Sequence, residues 1–373
     1  MLLPLLHTLS PLAVARRAAI NWLLRDEFTT NDAAPVATPR TCEPGPGTLI
    51  FTQTDGQFGI SGTALSFPTQ STSAWGDQGF LSNETYSRIA GRALLTSLNF
   101  STFSFSAVGF FDDLSSTVNG DQFQFTASVV RVNDQGEVQV IGSALSTSTD
   151  YKLAIVLRSN GAAHFIKGGA FSDWTLLWIG SNRSSANEKI RFTNFSAVGT
   201  FDHLRLRDLP APFDSDEGIA TLNVASPSSG SSYSGDASGV IDLTVTSPAS
   251  LTGTKAELRY RVQDANNYWV AYFDSAGAFK LDSVSGGVAT NRISVASVIS
   301  TSQTRTIRVI CDGSNHDCYT LSGSTWTKRG STVNVSHLNT QTAISPVLTG
   351  AYSMSNLRSY PRTAAAYAEL DNS

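Results

Sequence analysis

Charge is what this sequence has least of. Only 15% of its 373 residues are Asp, Glu, Lys or Arg, where soluble domains usually carry about a quarter. A net charge of −4 and a pI near 5.7 leave no basic stripe for sequence-independent binding of nucleic acid. Three cysteines are too few for a disulfide framework. The five histidines (His7, His164, His203, His316, His337) include no i, i+4 pair, so zinc-hydrolase chemistry has no anchor. No Gly-x-Ser-x-Gly elbow occurs. Gly-rich runs such as Gly286-Gly287 precede no helix that would cradle phosphate. No apolar run reaches the roughly 18 residues of a membrane-spanning helix, so no membrane insertion is expected.

Polarity comes instead from Ser and Thr and from 29 Gly. A hydroxyl-rich surface suits an extracellular or particle-bound β protein, whereas surface helices favour Glu and Lys. Period-two alternation follows. In residues 121–132, Phe123 and Phe125 share one face while Gln122 and Gln124 take a second, wet one. Similar short runs recur at 102–110, 151–159, 162–169, 174–180 and 203–209, separated by turn signals such as Asn160-Gly161. After Leu209-Pro210-Ala211-Pro212, which reads as an extended spacer, the pattern restarts at 218–225 and continues through 318–323.

The two halves read as diverged copies. Residues 127–142 answer 258–273, 151–169 answer 305–323, and 201–210 answer 354–361; Trp174 and Trp326 follow the matched glycines. The expected fold is all-β, two tandem antiparallel β-sandwich (jelly-roll) domains with a short N-terminal helix. Its divisions are an N-terminal segment at 1–25, sandwiches at 26–209 and 218–362, a linker at 210–217 and a C-terminal tail at 363–373. The helix opens at Ser10 and Pro11 and runs to Leu24, with Leu12, Ala15, Ala19, Trp22 and Leu23 on one docking stripe. Ala13-Val14-Ala15 imitates a signal-peptidase site, but no basic segment precedes it.

The strand order is similar to that of concanavalin A-like, laminin-G-like jelly rolls. Arg261-Val262-Gln263-Asp264-Ala265-Asn266-Asn267-Tyr268, Arg308-Val309 with Asp312-Gly313, and Asn356-Leu357-Arg358 carry the likeness. The first half also resembles domains of bacteriophage virion and tail proteins, through residues 24–30, 42–67 and 165–180. Together the two likenesses cover most of residues 24–362, and they mark a fold more than an activity. The superfamily's glucanases carry Glu-x-Asp-x-(x)-Glu on one strand, which points all three carboxylates into a cleft. Here Glu257 has no second carboxylate two or four positions on, and Asp112 and Asp113 are adjacent, so they face opposite ways. No catalytic residue is expected, and the chain is read as no enzyme.

Three local features stay open. Cys311 and Cys318 bracket a hairpin and form either a disulfide or two small apolar strand residues; with His316 they lack the fourth ligand of a metal site. Asp264 with Asn266, or Asp112 with Asp113, offers oxygens to calcium or closes an Asx turn. Tyr268 and Tyr272 share one strand face and Trp269 the other, so one set packs the core and the second is covered or binds a ligand. Asn267 and Trp326 complete that candidate set. The resulting expectation is a non-enzymatic virion subunit (tail-associated, fibre or decoration) whose partners are other virion proteins, copies of itself and host-surface glycans. The alternative is a secreted or cell-surface carbohydrate-binding β-sandwich protein; a glycoside hydrolase or lyase of the same fold comes third.

Overall fold

The computed structural model describes residues 20–32, 34–53, 57–68, 78–111, 120–126, 129–134, 137–180 and 187–372. These residues form an all-β protein of four antiparallel sheets and one 3-10 helix, Ala365–Asn372. Eight-stranded sheet I and nine-stranded sheet II stack as the first sandwich; six-stranded sheets III and IV form the second. Among the described residues no helix is long and apolar enough to cross a membrane.

The tandem reading extends to topology. Ten strands from Arg92–Thr102 to Val198–Asp208 recur, in the same pairing order, as ten from Gly239–Thr246 to Ser353–Pro361. This order corrects one of the sequence matches. The hairpin of Val129–Asp134 and Glu137–Ala144 has its counterpart in Phe279–Ser285 and Val288–Val295, one hairpin beyond residues 258–273. A slip by a whole hairpin leaves period-two alternation unchanged, so pattern alone does not detect it.

Phenylalanine fills the first core. Phe67, Phe80, Phe192 and Phe201 meet at ring centroid distances of 4.6–5.6 Å. Phe123 and Phe125 join that core as alternation requires. Gln122 and Gln124 stand on the opposite face yet are buried, where the sequence suggested a wet surface. The second core holds Ile241, Leu243, Leu258, Tyr260, Trp269, Ile307 and Val309.

The two sandwiches touch through a shared wall. Arg308, only 1% exposed, lies between the indoles of Trp178 and Trp326, with Cζ 4.5 and 4.0 Å from their centroids. It pairs with Asp242 at 2.7 Å and donates from Nη1 to the Ile179 carbonyl at 2.6 Å. Arg362 donates across the same boundary to the Leu176 carbonyl at 2.7 Å, and the Leu176 amide returns a bond to the Arg362 carbonyl at 2.8 Å. The proline-bounded stretch is packed turns, with Phe213 buried edge-on against Phe165 at 5.9 Å.

The C-terminal 3-10 helix closes back on the first sandwich. Tyr367 meets Phe165 at 4.8 Å, Leu370 is buried, and Asp371 pairs with Lys152 and Lys167. At the other end, Trp22 and Leu23 belong to the strand Trp22–Asp26, paired with Val198–Asp208, instead of ending a helix. Leu24 and Asp26 point inward there, and pairing with a sheet edge outweighs a short helical stripe. Leu12, Ala15, Ala19, Asp112 and Asp113 lie outside the described residues.

Cys311 and Cys318 are free. Cys311 stands opposite His316 and Cys318 opposite Val309, so the thiols are diagonal neighbours, not a facing pair. Both are fully buried, and burial pushes the Cys311 thiol up to about 12. They serve as small core residues, which corrects the disulfide alternative.

Candidate functional site

Strand Asn267–Phe273 lies inside sheet IV, between Lys255–Asp264 and Phe279–Ser285. Its alternation splits the aromatic run. Trp269, Ala271 and Phe273 enter the core, while Tyr268, Val270 and Tyr272 form a separate cluster with Val284 on the outward face. Register then places charge beside them. Glu257 pairs with Tyr272 and Arg259 with Val270 on one side; Lys280 and Asp282 pair with Tyr272 and Val270 on the other.

These groups hold one another in place. The Tyr272 hydroxyl donates to Asp282 Oδ2 at 2.8 Å, and Asn291 Nδ2 donates to Asp282 Oδ1 at 2.7 Å. Burial, and then the bond to Asp282 and its charge, raise the Tyr272 phenol well above its ordinary value, so it remains a donor. Glu257, 6% exposed, receives Arg259 Nε at 2.7 Å and pairs with Lys255. Arg259 also covers the Tyr268 ring at 4.7 Å, and Lys255 covers Tyr272 at 4.0 Å. Tyr268, Lys255, Arg259 and Lys280 stay partly exposed along the rim. The face therefore offers an aromatic edge, fixed carboxylates, an amide and guanidinium donors within four neighbouring strands.

The sequence-derived candidates are only partly gathered here. Tyr268 and Tyr272 share the face. Trp269 is a core residue, stacked on His316 at 4.1 Å with its indole N–H donated to the His337 carbonyl at 2.9 Å. Trp326 is buried in the wall between the sandwiches, 5.7 Å from Trp178. Neither reaches a ligand at the surface. Asn267 closes the hairpin turn, donating to both oxygens of Asp264 at 2.9 Å, while the Asn266 amide bonds Asp264 Oδ1 at 2.7 Å. Both Asp264 oxygens thus serve an Asx turn. The residues missed by sequence reading are Arg259, Asp282 and Asn291. The alternation of 256–264 and 278–284 held the signal, since Glu257, Arg259, Lys280 and Asp282 fall two apart.

No protein-family model matches the chain, and no curated protein matches its sequence. Solved structures do match. A galectin from Caenorhabditis elegans is 13% identical, aligned over 36% of this chain and 94% of its own at a TM-score of 0.30. A carbohydrate binding module from Bacillus subtilis is 13% identical over 42% of this chain and 95% of its own, at 0.30. A putative beta-glucanase from Mycobacterium abscessus is 10% identical over 50% of this chain and all of its own, at 0.34. Scores this low carry no argument about what the present chain does.

Two expectations find no support among these matches. Glycan-directed proteins recur among them, including an endo-acting O-glycanase of the human gut microbiota and glycoside hydrolase family proteins. A human SPRY domain also matches. The virion-subunit reading is withdrawn, and so is the flat exclusion of enzymatic activity.

Proposed function

We propose that this chain is a carbohydrate-binding β-sandwich protein of the extracellular space or cell surface, which presents the outward face of sheet IV to glycan. The observation that carries this reading is the Tyr268–Val270–Tyr272 row, flanked in register by Glu257 and Arg259 on one strand and Asp282 on the next. A pyranose has an apolar C–H face and a hydroxyl edge. An aromatic ring suits the first, and carboxylate, amide and guanidinium groups held by mutual bonds suit the second. Pre-arranged groups reduce the ordering cost of binding. The hydroxyl-rich, weakly charged composition supports the extracellular placement.

Retardation in native gels containing a panel of soluble polysaccharides tests the proposal. At least one polysaccharide is expected to retard the chain. Tyr268→Ala should weaken that interaction about tenfold, a loss of roughly 1.4 kcal/mol, without moving the melting temperature. Mobility unchanged on every polysaccharide would remove the reading. Assaying the same mixtures for new reducing ends tests for hydrolysis.

A further inference from the structure

The charges on the outward face of sheet IV are unequally reachable. Lys255, Glu257 and Arg259 alternate along one strand, so all three share that face. Glu257 receives both cations: Lys255 Nζ on Oε1, and Arg259 Nε and Nη2 on Oε2 at 2.7 and 2.5 Å. Two positive charges thus converge on one carboxylate. Asp282 has one oxygen taken by the Tyr272 hydroxyl and the other by the Asn291 amide. Asp274, just past the middle strand, accepts the amides of Ala276 and Ala278 on one oxygen and Lys280 on the other, each at 2.9 Å.

The carboxylates are therefore occupied from within, while the cations stay open. The Lys255, Arg259 and Lys280 side chains are 36, 27 and 32% exposed, against 8% for Glu257. A guanidinium carries five N–H donors and an ammonium three, so most of the hydrogen-bonding capacity open to a ligand here is donor. Cation–π contacts hold Arg259 at Tyr268 and Lys255 at Tyr272, which limits the ordering cost of using them. Sugar hydroxyls accept from such donors. A carboxylate or sulfate matches them in charge too, and charge-assisted bonds are roughly twice as strong as neutral ones.

We propose that the ligand of this face is an acidic polysaccharide, one that carries uronate carboxylates or sulfate esters; the proposal rests on the reading of the face as a glycan site. Its anionic groups take the outward donors of Lys255, Arg259 and Lys280, with a sugar C–H face against the exposed edge of Tyr268. The chain's net charge of −4 gives no general attraction to polyanions, so such binding reports the local rim.

Native gels of the whole chain with each acid beside its uncharged counterpart test this: polygalacturonate against its full methyl ester, and dextran sulfate against dextran. The first pair reads carboxylate and the second sulfate. At least one acid should bind about tenfold more tightly than its counterpart, and the difference should shrink as salt rises from about 50 to about 500 mM. Arg259→Gln and Lys255→Gln should each weaken the acid about three- to tenfold. Lys280→Gln, whose partner is Asp274, should also weaken it and keeps the test usable if either of the first two unsettles buried Glu257. Lys328→Gln removes the same charge from sheet III and should change nothing. Retardation by uncharged polymers alone, weakened by Tyr268→Ala, keeps the glycan reading and overturns this one. Retardation by no polymer removes both. Equal retardation by poly-L-glutamate, or acid binding indifferent to all three sheet IV variants, overturns the proposal as well.

Discussion

Arg308 shows how much one side chain carries in this molecule. Its guanidinium is sandwiched by two indoles, paired with Asp242 and bonded to a carbonyl of the other sandwich. Removing one partner of a buried pair leaves an uncompensated charge and costs about 3–5 kcal/mol. Arg308→Ala is expected to lose that much in urea unfolding. Arg308→Lys should recover little, because a point charge neither stacks nor forks; wild-type midpoints for either variant would contradict this. Histidines add a pH dependence. Burial holds His164 and His316 down to about 3 and His203 to about 4, against an ordinary value near 6.5. Between those limits the unfolded chain binds more protons than the folded one, so stability is complete above pH 6.5 and drains as pH falls. The urea midpoint should already drop between pH 7 and pH 5, above the range where carboxylates titrate; a flat midpoint would refute it. Little of this was legible in the sequence. Trp174 and Trp326 could be matched as equivalent positions, but nothing local said that Trp326 and Trp178 would grip the same arginine from different sandwiches.

Among the elements, the C-terminal helix has the clearest energetic role. Tyr367 and Leu370 are each 1% exposed, and burying two such side chains contributes on the order of 3–6 kcal/mol. Truncation after Arg362 should lower the melting temperature and increase binding of a hydrophobic dye at Phe165 and Trp174. An unchanged melting temperature would mean the helix adds nothing to the sheet beneath it. The strands themselves were readable because alternation is local: Phe123 and Phe125 point inward as their spacing requires, and Trp269 parts from Tyr268 and Tyr272 as period two demands. What alternation does not encode is register. The candidate face depends on Glu257 standing opposite Tyr272 and Asp282 opposite Val270, and those pairings follow from hairpin geometry. The strand Trp22–Asp26 was misread because five apolar-rich residues fit a helical stripe and a paired strand equally well. Its Trp22 ring lies 5.8 Å from both Arg205 and Arg207 of the paired strand, contacts that come with the sheet pairing.

For the whole molecule, two repeats do not make two independent bodies. The first core cluster continues into the second sandwich through Val240, Ile310, Tyr319, Trp326 and Tyr360. We propose boundaries near residues 209 and 218 for the repeats, but not for folding. Calorimetry is expected to show one transition, with its calorimetric and van't Hoff enthalpies in agreement. Two resolved transitions would contradict the shared wall. The return of Tyr367 and Leu370 to the first sandwich also bears on the order of synthesis. A ribosome delivers the first repeat well before those two residues, so the earlier half leaves the exit tunnel with part of its outer face uncovered. A chain released early, at any codon before Tyr367, keeps that greasy surface. Chaperones and proteases respond to such surfaces, so a chain cut short there stays open to both.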